Sequence, residues 1–273
     1  MQIREYSLPA GWYPRDLSSI SDFLTGFSTS SQSGRAVIAP HAGWYYSGKI
    51  AARAVSSLQR AADTIVVLGG HLSAGMKPLF AMEDAVRTPF GAMPIDSRLR
   101  LVLRREFGGN DDRYSDNTIE VLLPMVHYFF PKASLLWVRL PSDLQSAEAG
   151  KIISGAAKKL NLNINVIAST DLTHYGPNYG FSPQGTGLGA IRWVREVNDA
   201  GFINAVESGN NSEVLRSAES NHAACSAGAV LGVMGFTGAE SLGNLKLLEY
   251  GTSADVDEGS SPASFVGYAA LVV

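Results

Sequence analysis

One arrangement, used three times, limits what this chain can fold into: an apolar run of single-strand length, a turn, and a histidine. Ala36 to Ala39 is such a run. It is stopped by Pro40, which has no N–H to give to a sheet ladder, and His41 follows at once. Thr64 to Leu68 is the second, followed by Gly69, Gly70 and His71. Asn165 to Ser169 is the third, followed by Thr170, Asp171, Leu172, Thr173 and His174. Buried strands that alternate with helical patterns predict an α/β fold. The expectation is a single domain over residues 1–273, with a central, mainly parallel or mixed sheet and helices on both faces, a three-layer αβα sandwich. In open sheets of this kind ligands bind beyond the carboxyl ends of the strands, where these three imidazoles are delivered.

The spacing predicts helices from an Asp16 cap to about Phe27, over Lys49 to Ala61, from Asp96 to about Glu106, and over Ser146 to Leu160. Ile191 to Val206, Ser212 to Ser220 and His222 to Met234 follow the same pattern, with Cys225 inside the last. Further strands are expected at Leu79 to Met82, Leu135 to Leu140, Lys246 to Tyr250 and Ser264 to Val272. Residues 1–15 read as an irregular arm, Ser28 to Gly34 as a polar loop, and Arg87 to Gly91 as a turn-rich link. Gly108 to Ser115 reads as polar and exposed. Gly176 to Gly189 reads as a glycine-rich loop over the site, and Ser253 to Pro262 as a mobile, acidic link. Pro124 falls within a helical pattern and predicts a kink or a first-turn proline.

Composition removes several function classes. A net charge of -3 and a pI near 6.0 give no electrostatic reason to bind nucleic acid. No apolar run approaches the length of a membrane span, so no membrane association is expected. The first residues, MQIREYSLPAGWYP, do not have the basic-then-apolar order of a signal peptide. One cysteine excludes an internal disulfide and fits a reducing, cytoplasmic setting.

The residues that can carry chemistry form two groups. His41, His71 and Cys225 offer two imidazoles and a thiolate, a donor set for Fe(II), Zn or Cu that leaves room for a substrate. Each also has a plainer reading, as a strand-end histidine satisfied by a carbonyl or as a small buried thiol. Asp171 and His174 pair a carboxylate with an imidazole, either as a general base with a fixed tautomer or as a helix cap beside a first-turn histidine. Glu120 is either a carboxylate partner to a ligating histidine or a helix-start acid that favours the dipole. Trp44, Tyr45 and Tyr46 either wall an aromatic pocket or pack the next helix on the sheet. His127, in an aromatic run, reads as structural, and His222 as a helix N-terminal residue.

Five stretches together carry a family resemblance: P-H-A-G-W-Y-Y-S-G (40–48), L-G-G-H (68–71), D-N-T-I-E-V-L-L-P (116–124), S-T-D-L-T-H-Y-G (169–176) and A-C-S-A-G-A-V (224–230). In that order they resemble the Memo-like family, whose bacterial and archaeal members are called AmmeMemoRadiSam system protein B. Two positions depart from the family pattern: the second motif usually reads L-G-P-x-H, and the residue after the cysteine, here Ser226, is usually glycine. The family is similar in fold to class III extradiol ring-cleaving dioxygenases, which use non-haem Fe(II). The resemblance implies that His41, His71 and Cys225 are metal-ligand positions. It also implies that Asp171 and His174 line the same pocket, with His174 as the acid/base group and Glu120 nearby.

On this reading the chain is a metal-binding protein, with Fe(II) as the first expected metal and Cu or Zn as alternatives. As an enzyme it would be an oxidoreductase of dioxygenase type acting on a small aromatic or enediol substrate, with His174 taking the hydroxyl proton. The competing reading is non-catalytic: the pocket binds a peptide or protein partner, with Trp44, Tyr45 and Tyr46 as anchors. A third is a cysteine hydrolase built from Cys225, His174 and Asp171.

Overall fold

The computed structural model describes residues 1–27, 33–114, 116–256 and 262–273. From the N-terminus, β1 (Ile3–Arg4) is followed by α1 (Leu17–Thr25), capped by the Asp16 carboxylate, which accepts the Ser19 N–H at 2.8 Å. β2 (Ala36–Ala39) runs into α2 (Trp44–Ser56), and β3 (Thr64–Leu72) into the short β4 (Leu79–Phe80). A hairpin of β5 (Ala85–Thr88) and β6 (Gly91–Pro94) precedes α3 (Ser97–Phe107), capped by Asp96. β7 (Asn110–Asp111), α4 (Asn117–Glu120) and α5 (Leu123–Phe129) lead to β8 (Ser134–Pro141), α6 (Ser146–Leu160) and β9 (Ile164–Ser169). After β10 (His174–Tyr175), α7 (Leu188–Trp193) passes through a π-helical turn (Val194–Asp199) into α8 (Ala200–Glu207). The chain continues through α9 (Asn211–Asn221), α10 (Ala227–Ala239), β11 (Lys246–Thr252) and β12 (Phe265–Val272).

β2, β9, β3 and β8 lie side by side and parallel. Their apolar runs are buried almost throughout, as strands covered on both faces must be. β12 closes antiparallel on β2, with β10 sharing that edge of β12 and β11 on the other. β4 and β7 finish the far side. The crossover from β2 through α2 to β3 and the one from β8 through α6 to β9 step in opposite directions across the sheet. Given one handedness, they place α2 and α6 on opposite faces. α10 is apolar all round and is buried against α6 and the sheet. Gly150 and Gly235 let the two backbones touch, because a Cβ at either would overlap the other helix's main chain.

Several elements differ from expectation. The irregular arm contributes β1, and the link at residues 87–91 is part of the β5–β6 hairpin; the three strands make a second small sheet. α2 starts at Trp44, five residues before the expected Lys49, so the aromatics form its first turn. β3 runs on through Gly69, Gly70 and His71. The stretch 108–115 is not wholly exposed, since Asp112 is buried. Pro124 sits in the first turn of α5, where its missing N–H costs no hydrogen bond. The loop expected at 28–34 lies largely outside the described residues, as do residues 257–261 of the link expected to be mobile. Among the described residues no helix is long and apolar enough to cross a membrane.

Candidate metal centre

Three adjacent parallel strands deliver the site. β2 ends two residues before His41, β9 ends at Ser169, two residues before Asp171, and the end of β3 carries His71. β9 lies between the other two, so their carboxyl ends converge. Cys225 comes from the link between α9 and α10, at a bend in the chain. The helix expected to contain it begins two residues later, at Ala227. The donor atoms of His41, His71 and Cys225 all lie within 4.8 Å of one another.

The first imidazole is fixed on every side. His41 is buried, its backbone N–H donates to Asp171 Oδ1 at 2.7 Å, and its Nδ1 lies 2.9 Å from Ser169 Oγ. Nε2 is left facing Cys225 Sγ at 3.3 Å. His71 is presented differently. It lies on a bulge between Gly69 and Leu72 with φ 58°, a left-handed conformation that re-aims its ring out of the strand. Its Nδ1 donates to Asp116 Oδ2 at 3.2 Å, so Nε2 is the free nitrogen here too. The two rings meet edge to face with centroids 5.2 Å apart.

Asp116 does two jobs. Its Oδ1 caps α4 by accepting the Thr118 N–H at 2.9 Å, and its Oδ2 holds His71 and the Arg139 guanidinium, the latter at 2.9 Å. Sequence reasoning looked for this carboxylate at Glu120. Glu120 instead accepts from Ser7 N–H at 2.9 Å, the Ser7 hydroxyl, Leu8 N–H at 3.1 Å and Tyr13 OH at 2.8 Å, tying the N-terminal arm to α4.

Electrostatics follow from this packing. Burial opposes charge on His71, but the Asp116 carboxylate and the Cys225 sulfur outweigh it and push the ring up to about 10. Burial likewise opposes a thiolate at Cys225, yet the two imidazoles hold it well below the ordinary thiol value. The sulfur also accepts the Asp171 N–H at 3.3 Å. Burial raises Asp171 despite the neighbouring His41. Asp116 is held down at about 2: burial would raise it, and the hydrogen bonds from His71 and Thr118 prevail.

Beside these donors opens a cleft of about 750 Å³, lined by Asp171, His174, Asn117, Trp12, Tyr46 and Tyr179 among others. His174 Nδ1 faces the Leu172 carbonyl at 3.1 Å. A carbonyl only accepts, so Nδ1 carries the hydrogen and the neutral ring keeps a bare Nε2. The imidazoles against Cys225 are those of His41 and His71, and among the described residues the hydrolase arrangement of Cys225 with His174 is not formed. Trp44 is buried elsewhere: its indole donates to the Val121 carbonyl at 3.0 Å and packs on Phe23 and Tyr13. With the exposed Tyr45 it lines a separate shallow groove. His127 bonds Thr88 Oγ1 at 2.6 Å in the hairpin. His222 caps the C-terminus of α9 with φ 51° and lies against Phe181, instead of starting a helix.

The turn from Thr170 to His174 has an anchor that the sequence did not announce. Asp199, at the end of the π-helical turn, accepts the Thr173 N–H at 3.1 Å, the Thr173 hydroxyl, and Tyr250 OH at 2.8 Å. Burial dominates its titration and raises it from 3.8 to about 6 despite those bonds. A folded-state value above the unfolded one means the fold holds this proton more tightly. Asp199 therefore costs stability as pH rises through about 6, and the cost is relieved as pH falls toward 4. The difference amounts to about 3 kcal/mol. We expect Asp199→Asn to gain about that much relative to the parent between pH 4 and 7 in denaturant unfolding. A difference that does not change with pH would show that no such proton is held.

The two departures from the family pattern touch each other. A Cβ at Gly70 would overlap the Cβ and Oγ of Ser226, so the serine occupies the space that the glycine leaves. Gly70→Ala should therefore destabilise the fold by about 1–3 kcal/mol, the usual cost of overpacking. Adding Ser226→Gly should recover part of that loss in thermal melts, since it removes the Cβ and Oγ overlaps but leaves the Cα of residue 226 at 2.8 Å; an equal loss in both backgrounds would refute the pairing.

The class of protein is thus an α/β sandwich that gathers two histidines and a cysteine at the carboxyl edge of its parallel strands. Comparison with known proteins gives the family. The family model described as Memo-like protein matches residues 4–272. A MEMO1 family protein of Methanopyrus kandleri is 34% identical over 247 residues, covering 86% of this chain and 82% of that one. Another from Methanococcoides burtonii is 28% identical over 284 residues, covering 99% and 100%. An uncharacterized protein of Escherichia coli K12, known from a crystal structure, overlaps 88% of this chain at 13% identity with a TM-score of 0.48. The chain belongs to the Memo-like family.

Proposed function

We propose that this chain is a metal-binding oxidoreductase of dioxygenase type. It would hold one Fe(II) ion between His41, His71 and Cys225, with copper or zinc as alternative occupants. The observation that carries the reading is the convergence of three donor atoms within 4.8 Å while both Nδ1 atoms are engaged elsewhere. Two Nε2 atoms turned toward a sulfur held toward the thiolate match the donor chemistry of a three-ligand site, and metal binding there would displace the Nε2 protons. Bound there, the ion would supply Lewis acidity and redox capacity beside the cleft.

The protein's own groups do the remaining work. The cleft has room for a small aromatic or enediol molecule. His174 Nε2, which carries no hydrogen when Nδ1 donates to the Leu172 carbonyl, takes the proton from a substrate hydroxyl. Asp171 fixes the His41 backbone and shares the cleft wall. Removing the base should be visible without disturbing the metal: His174→Ala is expected to keep its iron and to lose about 10²–10⁴-fold in turnover. The test is elemental analysis of protein purified anaerobically without a histidine tag, then oxygen uptake with catechols and other enediols after Fe(II) loading. Near-stoichiometric metal and substrate-dependent uptake are expected. No metal after anaerobic Fe(II) addition would overturn the reading.

Exposed Tyr46 and Tyr179 at the mouth of the cleft favour a second reading, a peptide or protein partner bound in the same pocket. Peptide capture by metal-free protein, with no oxygen uptake after loading, would select it.

A further inference from the structure

Arg139 stands out in β8 because its neighbours are apolar and buried, and it is only 5% exposed itself. A charge that deep is retained only when its hydrogen bonds are met. All three of its nitrogens have partners. Nε donates to the Gly70 carbonyl at 3.0 Å, one terminal nitrogen faces Asp112 Oδ1 at 3.3 Å, and the other faces Asp116 Oδ2 at 2.9 Å.

Two of those partners are the supports of His71. Gly70 is the residue before it, and its carbonyl is held where the bulge turns the chain into the left-handed conformation at His71. Asp116 is the carboxylate that orients its ring. The third partner, Asp112, is buried and also accepts the Trp137 indole N–H at 3.0 Å, so it anchors the guanidinium from behind. Lysine cannot reproduce this, because its ammonium lacks a planar fork that can bind a carbonyl and two carboxylates at fixed angles.

We propose that Arg139 is a positioning residue for the metal centre: by clamping the Gly70 carbonyl and the Asp116 carboxylate together, it sets the direction in which His71 offers Nε2. This rests on the metal-binding reading above. Arg139 touches neither the metal position nor the cleft, and acts through His71 alone.

The test uses Co(II) as the probe on the full chain, with affinity read by competition with a chelator and the sulfur-to-cobalt absorption band read in parallel. Arg139→Lys and Asp116→Asn should each weaken Co(II) binding by about tenfold to a hundredfold, the usual effect of supports behind a ligating histidine. The sulfur band should persist, since Cys225 is untouched. Combining the two changes should cost little more than the worse single one, because both act on one histidine. Unchanged affinity in Arg139→Lys, or losses that add in full, would overturn the proposal. If Arg139→Lys does not fold, Asp116→Asn decides alone: parent-like affinity overturns the clamp, and a tenfold or greater loss supports it. A parent protein that binds no Co(II) or Fe(II) would instead overturn the metal reading itself, and the clamp with it.

Discussion

Replacing Cys225 by serine is expected to cut retained metal from near one ion per chain to a small fraction, with the fold intact. A serine hydroxyl does not ionise near neutral pH, so the site would keep two imidazoles and lose its anionic donor. The structural cost is small. Cys225 is partly exposed, and a serine oxygen can accept the Asp171 N–H that the sulfur now accepts. His41→Ala should lose the metal as fully, but with a drop in stability as well, because His41 is buried and its ring fills the space between Ser169 and Cys225. Supporting residues around bound metals are worth about 10–100-fold in affinity, so loss of a direct ligand should exceed a hundredfold. Elemental analysis beside thermal melts separates the two effects. Stoichiometric metal in both variants would remove these residues from the ligand set.

The second large effect lies at Glu120. Its carboxylate is buried and takes four hydrogen bonds from three residues of the N-terminal arm. Glu120→Ala strands those donors, among them the hydroxyl of the buried Tyr13. An orphaned buried donor costs about 1–3 kcal/mol, which falls on Tyr13; the donors of the exposed Ser7 and the half-buried Leu8 can turn to water, so the penalty is about 1–3 kcal/mol, capped by the free energy with which the arm docks. The arm supplies Ala10, Gly11 and Trp12 to the cleft, and the Trp12 carbonyl accepts the Trp44 N–H at the start of α2. Glu120→Ala should therefore release residues 2–13 to rapid hydrogen exchange and proteolysis and weaken ligand binding in the cleft. Metal content should stay as in the parent, since Asp116 holds His71 without it. Unchanged protection of the arm would contradict this role.

The parts of the fold that local chemistry decides were legible in the sequence. The apolar runs ending at Ala39 and Ser169 are strands at those limits, and Asp16 and Asp96 cap helices as their positions imply. What escaped depends on contacts distant in the chain. Nothing near Glu120 indicates that its partners lie more than a hundred residues earlier. Gly69 and Gly70 read as a turn because glycine usually ends a strand; here they let Thr118 and Ser226 approach a strand that continues. The small residues around Cys225 suit a helix by composition, but the link to α10 is held open by hydrogen bonds between Cys225 and Asp171. Asp116 and Glu120 share the D-N-T-I-E stretch, and only the folded position of His71 decides which carboxylate meets its ring. Arg139 did carry a signal, a lone charge in an apolar strand, which is a polar group in need of buried partners.

The central claim is a metal held by two imidazoles and one sulfur, and X-ray absorption at the iron edge of the anaerobically loaded protein tests it most directly. One sulfur scatterer at about 2.3 Å with nitrogen or oxygen neighbours at about 2.0–2.2 Å is the expected shell. The sulfur contribution should vanish in any iron retained by Cys225→Ser. A shell of nitrogen and oxygen alone in the parent protein would contradict the account, because it would place the metal away from Cys225.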